Sequence, residues 1–254
     1  MLPIKTIITV IEDKFPLANA CLWDFIGWQI KAKININKIL VCLDITNAVL
    51  EQALTDGIEL IICHHPLVFA SDINHPSISP WKKKLYQKIK NNDINVYTLH
   101  TNFDRDEKGM NVLMAQSLNL ENINFLGQDK LAIVGNLNQA LSVSTIIKNV
   151  KTYFNIEYLQ LIGNQQQIIN NVALSAGAGG DAITILPNSI QLFITGEMKW
   201  HHIIEAQDYG INVLLVGHYM EQKFVDFIHD FLYQAFNGQL EVIKYKHQQP
   251  VIII

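Results

Sequence analysis

The sequence predicts an α/β protein built from buried strands and amphipathic helices. Three observations carry that prediction: apolar runs of strand length alternate with segments of helical period, the helix ends bear capping residues, and three helix–strand units each finish on a histidine. The chain has 254 residues, 49% of them hydrophobic and 17% charged. That is enough to bury a full core, either as one large α/β domain or as two fused lobes.

The opening Met1-Leu2-Pro3-Ile4-Lys5 leads into an apolar stretch that soon meets Glu12, Asp13 and Lys14. It is too short and too charged for a signal peptide, and no later run approaches membrane-spanning length. Residues 38–44 (KILVCLD) are a continuous apolar run of buried-strand type. Residues 47–56 carry Ala48, Val49, Ala53 and Leu54 at helical spacing, and Gly57 is placed to stop that helix. Residues 58–63 (IELIIC) form the next strand, which ends on His64-His65-Pro66. Ser79-Pro80 reads as an N-cap followed by proline in the first helical position, opening a helix to about Lys90. Residues 93–99 (DINVYTL) are strand-like again and end on His100-Thr101-Asn102-Phe103-Asp104. Met110, Leu113, Met114 and Leu118 share a face, which makes 108–119 a helix.

Residues 121–138 contain Gly127 and Gly135 and no long periodic segment. They are the expected junction between lobes of about 1–125 and 126–254. Beyond them a helix is expected over 142–154 and strands over 156–162 and 171–175, the latter running into a glycine-rich turn. A short strand at 191–194 precedes Thr195-Gly196-Glu197, and a helix over 199–209 is stopped by Gly210. A strand over 211–216 (INVLLV) ends on Gly217-His218, and a helix (226–236) and a strand (240–245) close the chain.

Residues 57–65 can be laid over residues 210–218, with Ala53 and Ala206 coinciding in the preceding helices; residues 93–100 are a looser third copy. Each copy delivers a histidine just past the carboxyl end of a strand, the edge where open α/β sheets bind ligands.

Composition argues against several classes. The net charge is −4 and no basic run exceeds Lys82-Lys83-Lys84, so no nucleic-acid-binding surface is advertised. The three cysteines (Cys21, Cys42, Cys63) show no C-x-x-C spacing, which argues against a disulfide framework or a zinc finger and suits a reducing cytoplasm.

His64-His65-Pro66 sits where the chain turns out of a strand, so two adjacent imidazoles that would point to opposite faces of a regular strand can diverge slightly and serve two ions. An exposed pair at a loop start is the plainer reading. The segment 100–104 adds an imidazole and the Asp104 carboxylate, or else it caps a turn. His218 and Glu221 share a face if 218–221 is a helical turn; alone, such a pair is commonly a surface pair. Together, imidazole and carboxylate donors without cysteine suit Zn, Fe, Mn or Ni. A carboxylate can bridge two ions, as in two-metal hydrolases.

Trp23-Asp24-x-x-Gly27, Leu43-Asp44-Ile45-Thr46, His64-His65-Pro66-Leu67, His100-Thr101-Asn102-Phe103-Asp104, Thr195-Gly196-Glu197 and Gly217-His218-Tyr219 occur in this order. The whole set resembles the GTP cyclohydrolase I type 2 homologue family, the Nif-three-like dinuclear metal-centre proteins, in a short form without an inserted middle domain. The resemblance implies one Nif-three-like domain over 1–254, with two similar α/β lobes facing a central cleft. It implies two divalent metal ions on His64, His65, Asp104, His218 and Glu221, and a homo-oligomer in the form of a hexameric ring. Two departures stand out: His218 and its acidic partner are three residues apart where many relatives have four, and Cys21-Leu22 replaces a common acidic pair.

Glu197 is a candidate general base or a group that orients a ligand imidazole, and His201 a candidate proton carrier; a helix-capping role for this segment is the competing reading. His100 is expected to support the site beside Asp104, and His202 to be exposed. The turn Ser175-Ala176-Gly177-Ala178-Gly179-Gly180-Asp181 is either a phosphate cradle or, preferably, a tight packing turn. Cys63 is expected to pack as a buried residue, and the tryptophans to serve the core or a subunit contact. The leading expectation is a cytoplasmic metal-dependent hydrolase acting on a nucleotide or phosphoester. The alternative is a non-enzymatic, ring-shaped metal-binding assembly or interaction scaffold.

Overall fold

The computed structural model describes residues 1–248 and 251; the rest of the expected 1–254 domain lies outside the described residues. The first elements are β1 (Leu2–Pro3), α1 (Ile4–Lys14), β2 (Gly27–Ile30), β3 (Asn35–Ile36), β4 (Lys38–Cys42), α2 (Asn47–Asp56), β5 (Leu60–Cys63), α3 (Pro80–Asn91), β6 (Asn95–Thr98) and α4 (Thr101–Asp104). They are followed by α5 (Met110–Ser117), β7 (Leu120–Leu126), β8 (Ala132–Ser142), α6 (Val143–Phe154), β9 (Gln160–Ile162), β10 (Ile168–Ser175), β11 (Leu192–Thr195), α7 (Trp200–Asp208), β12 (Asn212–Leu215), α8 (Lys223–Ala235) and β13 (Glu241–Lys244).

Local chemistry explains several boundaries. Thr46, Ser79 and Ser142 each accept a hydrogen bond from the backbone N–H three residues on, opening α2, α3 and α6. Gly57 closes α2 in the left-handed conformation with φ +68°. The strands β5, β6, β11 and β12 are buried at every position, which is why they do not alternate apolar with polar residues; their polar members, Asn95, Thr98, Thr195 and Asn212, stand only at strand ends.

The chain forms two compact units. One comprises Met1–Phe103 with the returning residues 222–248, and the other Asp104–Glu221. This division differs from a border near residue 125. Residues 121–138, expected as a junction, pair antiparallel as β7 and β8 inside the second unit. Only Leu120 of β7 is fully buried, so no apolar period marks that strand. The return of α8 and β13 to the first unit is a long-range pairing, Val242 beside Ile39, that a linear reading does not see.

The first unit holds a five-stranded sheet in the order β13-β4-β5-β6-β2, parallel except for the β2 edge. Its register sets Cys42, Cys63 and Thr98 level across β4, β5 and β6. Two residues further on, Asp44, His65 and His100 therefore emerge side by side at the carboxyl edge. The second unit holds a six-stranded sheet in the order β7-β8-β10-β11-β12-β9, in which β10, β11 and β12 are parallel. Ser175, Thr195 and Leu215 are level there, so Gly177, Glu197 and Gly217 occupy the equivalent row.

The internal repeat extends to backbone detail. Gly57 and Gly210 both have φ +68°, and the next residue, Ile58 or Ile211, donates its N–H to the carbonyl of Ala53 or Ala206 at 2.8 and 2.9 Å. In the third copy Asp93, at φ 52°, takes the glycine's place and Ile94 N–H bonds Ile89 O at 3.4 Å. Each left-handed residue ends a helix and launches the strand that carries a histidine.

Candidate metal centre

In the first unit, the strand exit is pinned before the histidines diverge. The N–H groups of His64 and His65 both donate to Leu43 O, at 3.2 and 3.0 Å. The two rings lie 5.0 Å apart at 52°, so adjacent residues present their imidazoles to one locality because the chain is already turning. His64, His65 and His100 each place a ligand-capable atom within 4.8 Å of the others.

All three rings are oriented through Nδ1. His64 Nδ1 donates to Leu99 O at 2.8 Å, His65 Nδ1 to Asp44 Oδ1 at 2.9 Å, and His100 Nδ1 to Asp24 Oδ2 at 2.9 Å. A neutral imidazole that commits its Nδ1 proton to an oxygen acceptor carries its lone pair on Nε2, the arrangement in which protein histidines bind metals. Asp24 also accepts from Thr101 N–H at 3.1 Å and Thr101 Oγ1 at 2.6 Å, while Thr101 Oγ1 accepts from Cys21 N–H at 3.0 Å. Burial pushes the Asp24 carboxyl up, but the hydrogen bond and charge of His100 and the two Thr101 bonds outweigh it, leaving the group below its ordinary 3.8. Burial likewise works upward on Asp44, and the His65 hydrogen bond with the charges of His65, His247 and His64 brings it down.

In the second unit, His218 opens a 3-10 turn, His218–Gln222, that carries Glu221. His218 Nδ1 lies 2.8 Å from Glu197 Oε1 and its Nε2 lies 3.0 Å from Glu221 Oε2. The ligand-capable oxygens of Asp104 and Glu221 are within 4.8 Å of each other, and both residues are buried. The glycine-rich turn shapes this cluster: a Cβ at Gly177, which has φ +57°, would overlap Glu221 Oε1. Asn111 ties the parts together, donating to Asp104 O at 3.2 Å and accepting from Ala176 N–H at 2.9 Å.

The donors are imidazole and carboxylate throughout. Cys63 packs below His64 against Thr98 Oγ1 at 3.1 Å, and burial pushes its thiol up to about 12, so it stays protonated at neutral pH. These buried His, Asp and Glu groups could hold a metal ion, and their chemistry fits a borderline divalent cation.

The family model for Duf34/NIF3 (NGG1p interacting factor 3) matches residues 2–250. The chain belongs to the Duf34/NIF3 family. Among its relatives is a "GTP cyclohydrolase 1 type 2 homolog" of Ureaplasma parvum serovar 3, 30% identical over 250 residues and covering 94% of this chain and 95% of that one. A protein of the same name in Clostridium perfringens is 30% identical over 227 residues, 85% of either chain. A Staphylococcus aureus hypothetical protein of known structure shares the fold with TM-score 0.85 at 20% identity, covering 100% of this chain and 99% of that one. Reduced HcgD from Methanocaldococcus jannaschii matches with TM-score 0.80 at 26% identity, covering 96% of this chain and 97% of that one.

Other residues of this Duf34/NIF3 chain fall into place less uniformly. The sequence reading missed Asp24 and Asp44 as groups that orient imidazoles, although Asp44 leaves a parallel strand at the histidine-bearing edge. Glu197 is held against His218. His201 is exposed on α7 with its ring 4.1 Å from that of His202. His202, expected to be exposed, is buried and lies 3.2 Å from both Asp181 and Glu205, because the first turn of α7 directs it inward. The glycine-rich turn is a packing device: the space a Cβ would take at Gly179 or Gly180 is filled by Ser175 or by Glu197 O and Met198. Trp23, Trp81 and Trp200 are more than half exposed, so they are not core residues. Among the described residues no helix is long and apolar enough to cross a membrane.

Proposed function

We propose that this protein binds two divalent metal ions through His64, His65, Asp104, His218 and Glu221 and uses them to hydrolyse a nucleotide or another phosphoester. The observation that carries the reading is the shared orientation of the histidines, each with Nδ1 at a carbonyl or carboxylate oxygen. Such ions supply Lewis acidity toward water and toward an electrophilic substrate oxygen.

The protein's own residues do the rest. Asp44 and Glu197 fix the ring planes of His65 and His218. Glu197 is more than half exposed, so it can also take a proton from solvent-side chemistry. His100, with its Nδ1 proton shared with Asp24, can hold or release a proton at Nε2 beside His64 and His65. His201 is the second proton carrier of this reading. Zn, Fe, Mn and Ni all suit the donors. The names of the relatives point to GTP ring opening as one candidate within this class, and a hexameric ring is the assembly proposed for the working protein.

The test is turnover by metal-loaded protein on nucleotides and phosphodiesters, with His65→Ala beside it. Turnover lost together with metal content in the variant supports the hydrolase. Metal uptake without turnover on any of these substrates defeats the enzymatic part and leaves a metal-holding assembly.

A further inference from the structure

Three exposed aromatic side chains lie on or next to the surroundings of the His64–His65–His100 cluster: Trp23 at 53%, Phe69 at 43% and, joined to Phe69 through Lys82, Trp81 at 56%. Two of them meet the cluster directly. Trp23 lies 6.1 Å from the His100 ring at 77°, and Phe69 lies 5.8 Å from it at 81°, both edge-on. Lys82 Nζ sits 5.8 Å from the ring centres of both Phe69 and Trp81.

These rings are mounted on fixed backbone. Trp23 stands between Cys21, whose N–H is bound by Thr101 Oγ1, and Asp24, whose carboxylate holds His100 and Thr101. Phe69 follows Val68, whose N–H donates to Gln29 Oε1 at 3.1 Å. Exposed aromatics held this way offer π-faces at little entropic cost on binding. The lysines are equally informative. Lys82, Lys83 and Lys84 occupy the first turns of α3, which has no acidic residue in its first turn. Positive charge there opposes the helix dipole, so the lysines are not placed for the helix's benefit.

We propose that Trp23, Phe69 and Lys82 form the recognition rim of the site, selecting a planar ring that carries a phosphate, the chemical class of a nucleotide. The aromatic pair stacks the ring beside His100, and Lys82 neutralises the phosphate. This rests on the hydrolase reading above and specifies which residues give it selectivity.

The test is calorimetric titration of the metal-loaded full chain with adenosine 5′-monophosphate, adenosine and ribose 5-phosphate, with metal content and oligomeric state measured on every sample. The monophosphate should bind tightest. Trp23→Ala and Phe69→Ala should each weaken adenosine and its monophosphate by about tenfold and leave ribose 5-phosphate within about twofold, while Trp23→Phe retains most of the affinity. Lys82→Gln should weaken both phosphate-bearing probes and spare adenosine.

Ribose 5-phosphate binding as tightly as the monophosphate overturns the proposal, as does unchanged binding in both alanine variants. Variants that alter only the oligomeric state overturn it too, and make the rim a contact between copies. If the wild-type chain takes up no metal, it is the hydrolase reading that fails; if it is fully loaded and ignores all three probes, the rim fails alone.

Discussion

Replacing Gly177 with alanine should damage metal binding far beyond its effect on folding, and replacing Gly57 in the same way should not. Both glycines have left-handed backbone, φ +57° and φ +68°. Alanine in that conformation costs about 1–2 kcal/mol, which for a chain of this size lowers Tm by roughly 2–8 °C. The two sites differ in what the new methyl meets. At Gly57 nothing lies within 4 Å, whereas at Gly177 the Cβ overlaps Glu221 Oε1 and stands 2.9 Å from its Cδ. Restoring an ordinary carbon–carbon contact of about 3.5 Å requires the buried carboxylate to retreat by at least about 0.6 Å. Metal–ligand distances tolerate only about ±0.2 Å. Gly177→Ala should therefore lose about 10–100-fold in metal affinity, as losses of outer groups around metal sites do, while Gly57→Ala loses stability alone. The assay is competitive titration with a metal-sensitive chelator beside thermal unfolding of the metal-free proteins. Equal metal affinity in the two variants would refute the coupling between the turn and Glu221.

Other outcomes follow from the same geometry. Asp44→Asn and Glu197→Gln should each reduce metal affinity by about 10–100-fold with little change in fold, read by the same titration. Thr195→Val should stabilise the protein by about 1 kcal/mol in denaturant unfolding, because Thr195 Oγ1 is buried with no hydrogen-bond partner among the described residues. Asp24 and Asp44 both titrate below their ordinary 3.8 in the folded protein. Their stabilisation is thus fully present above that value and is lost as the pH falls through the folded pKa values, and Asp24→Asn should flatten the acid limb of a stability–pH curve. Cys42 and Cys63, fully buried with thiols pushed up by burial, should resist a thiol reagent at pH 8 in the native protein and react on unfolding.

What the sequence reveals and what it hides have physical reasons. Helices with local start and stop chemistry, such as α2 between Thr46 and Gly57, are legible because the capping residues act within a few positions. The histidine-bearing strand ends are legible because buried parallel strands are continuous apolar runs that stop abruptly. β7 is hidden, since only Leu120 of its residues is fully buried. The return of β13 to β4 is hidden because nothing local encodes a pairing some 200 residues distant. The donors proposed at 64, 65, 104, 218 and 221 are named from motifs in the chain. Asp24 could not be given its role, because it reaches His100 from an irregular loop across 76 positions. The burial of His202 was legible in principle, because it shares a helix face with Ala206 four residues on.

The central claim is that His64, His65, Asp104, His218 and Glu221 hold a pair of metal ions. Anomalous diffraction from crystals of protein purified without chelator tests it most directly. The account predicts two anomalous peaks about 3.5–4 Å apart, with imidazole Nε2 atoms about 2.0–2.1 Å from them. Crystals showing no anomalous density beside His64 and His65 Nε2, from protein that elemental analysis finds free of metal, would contradict it.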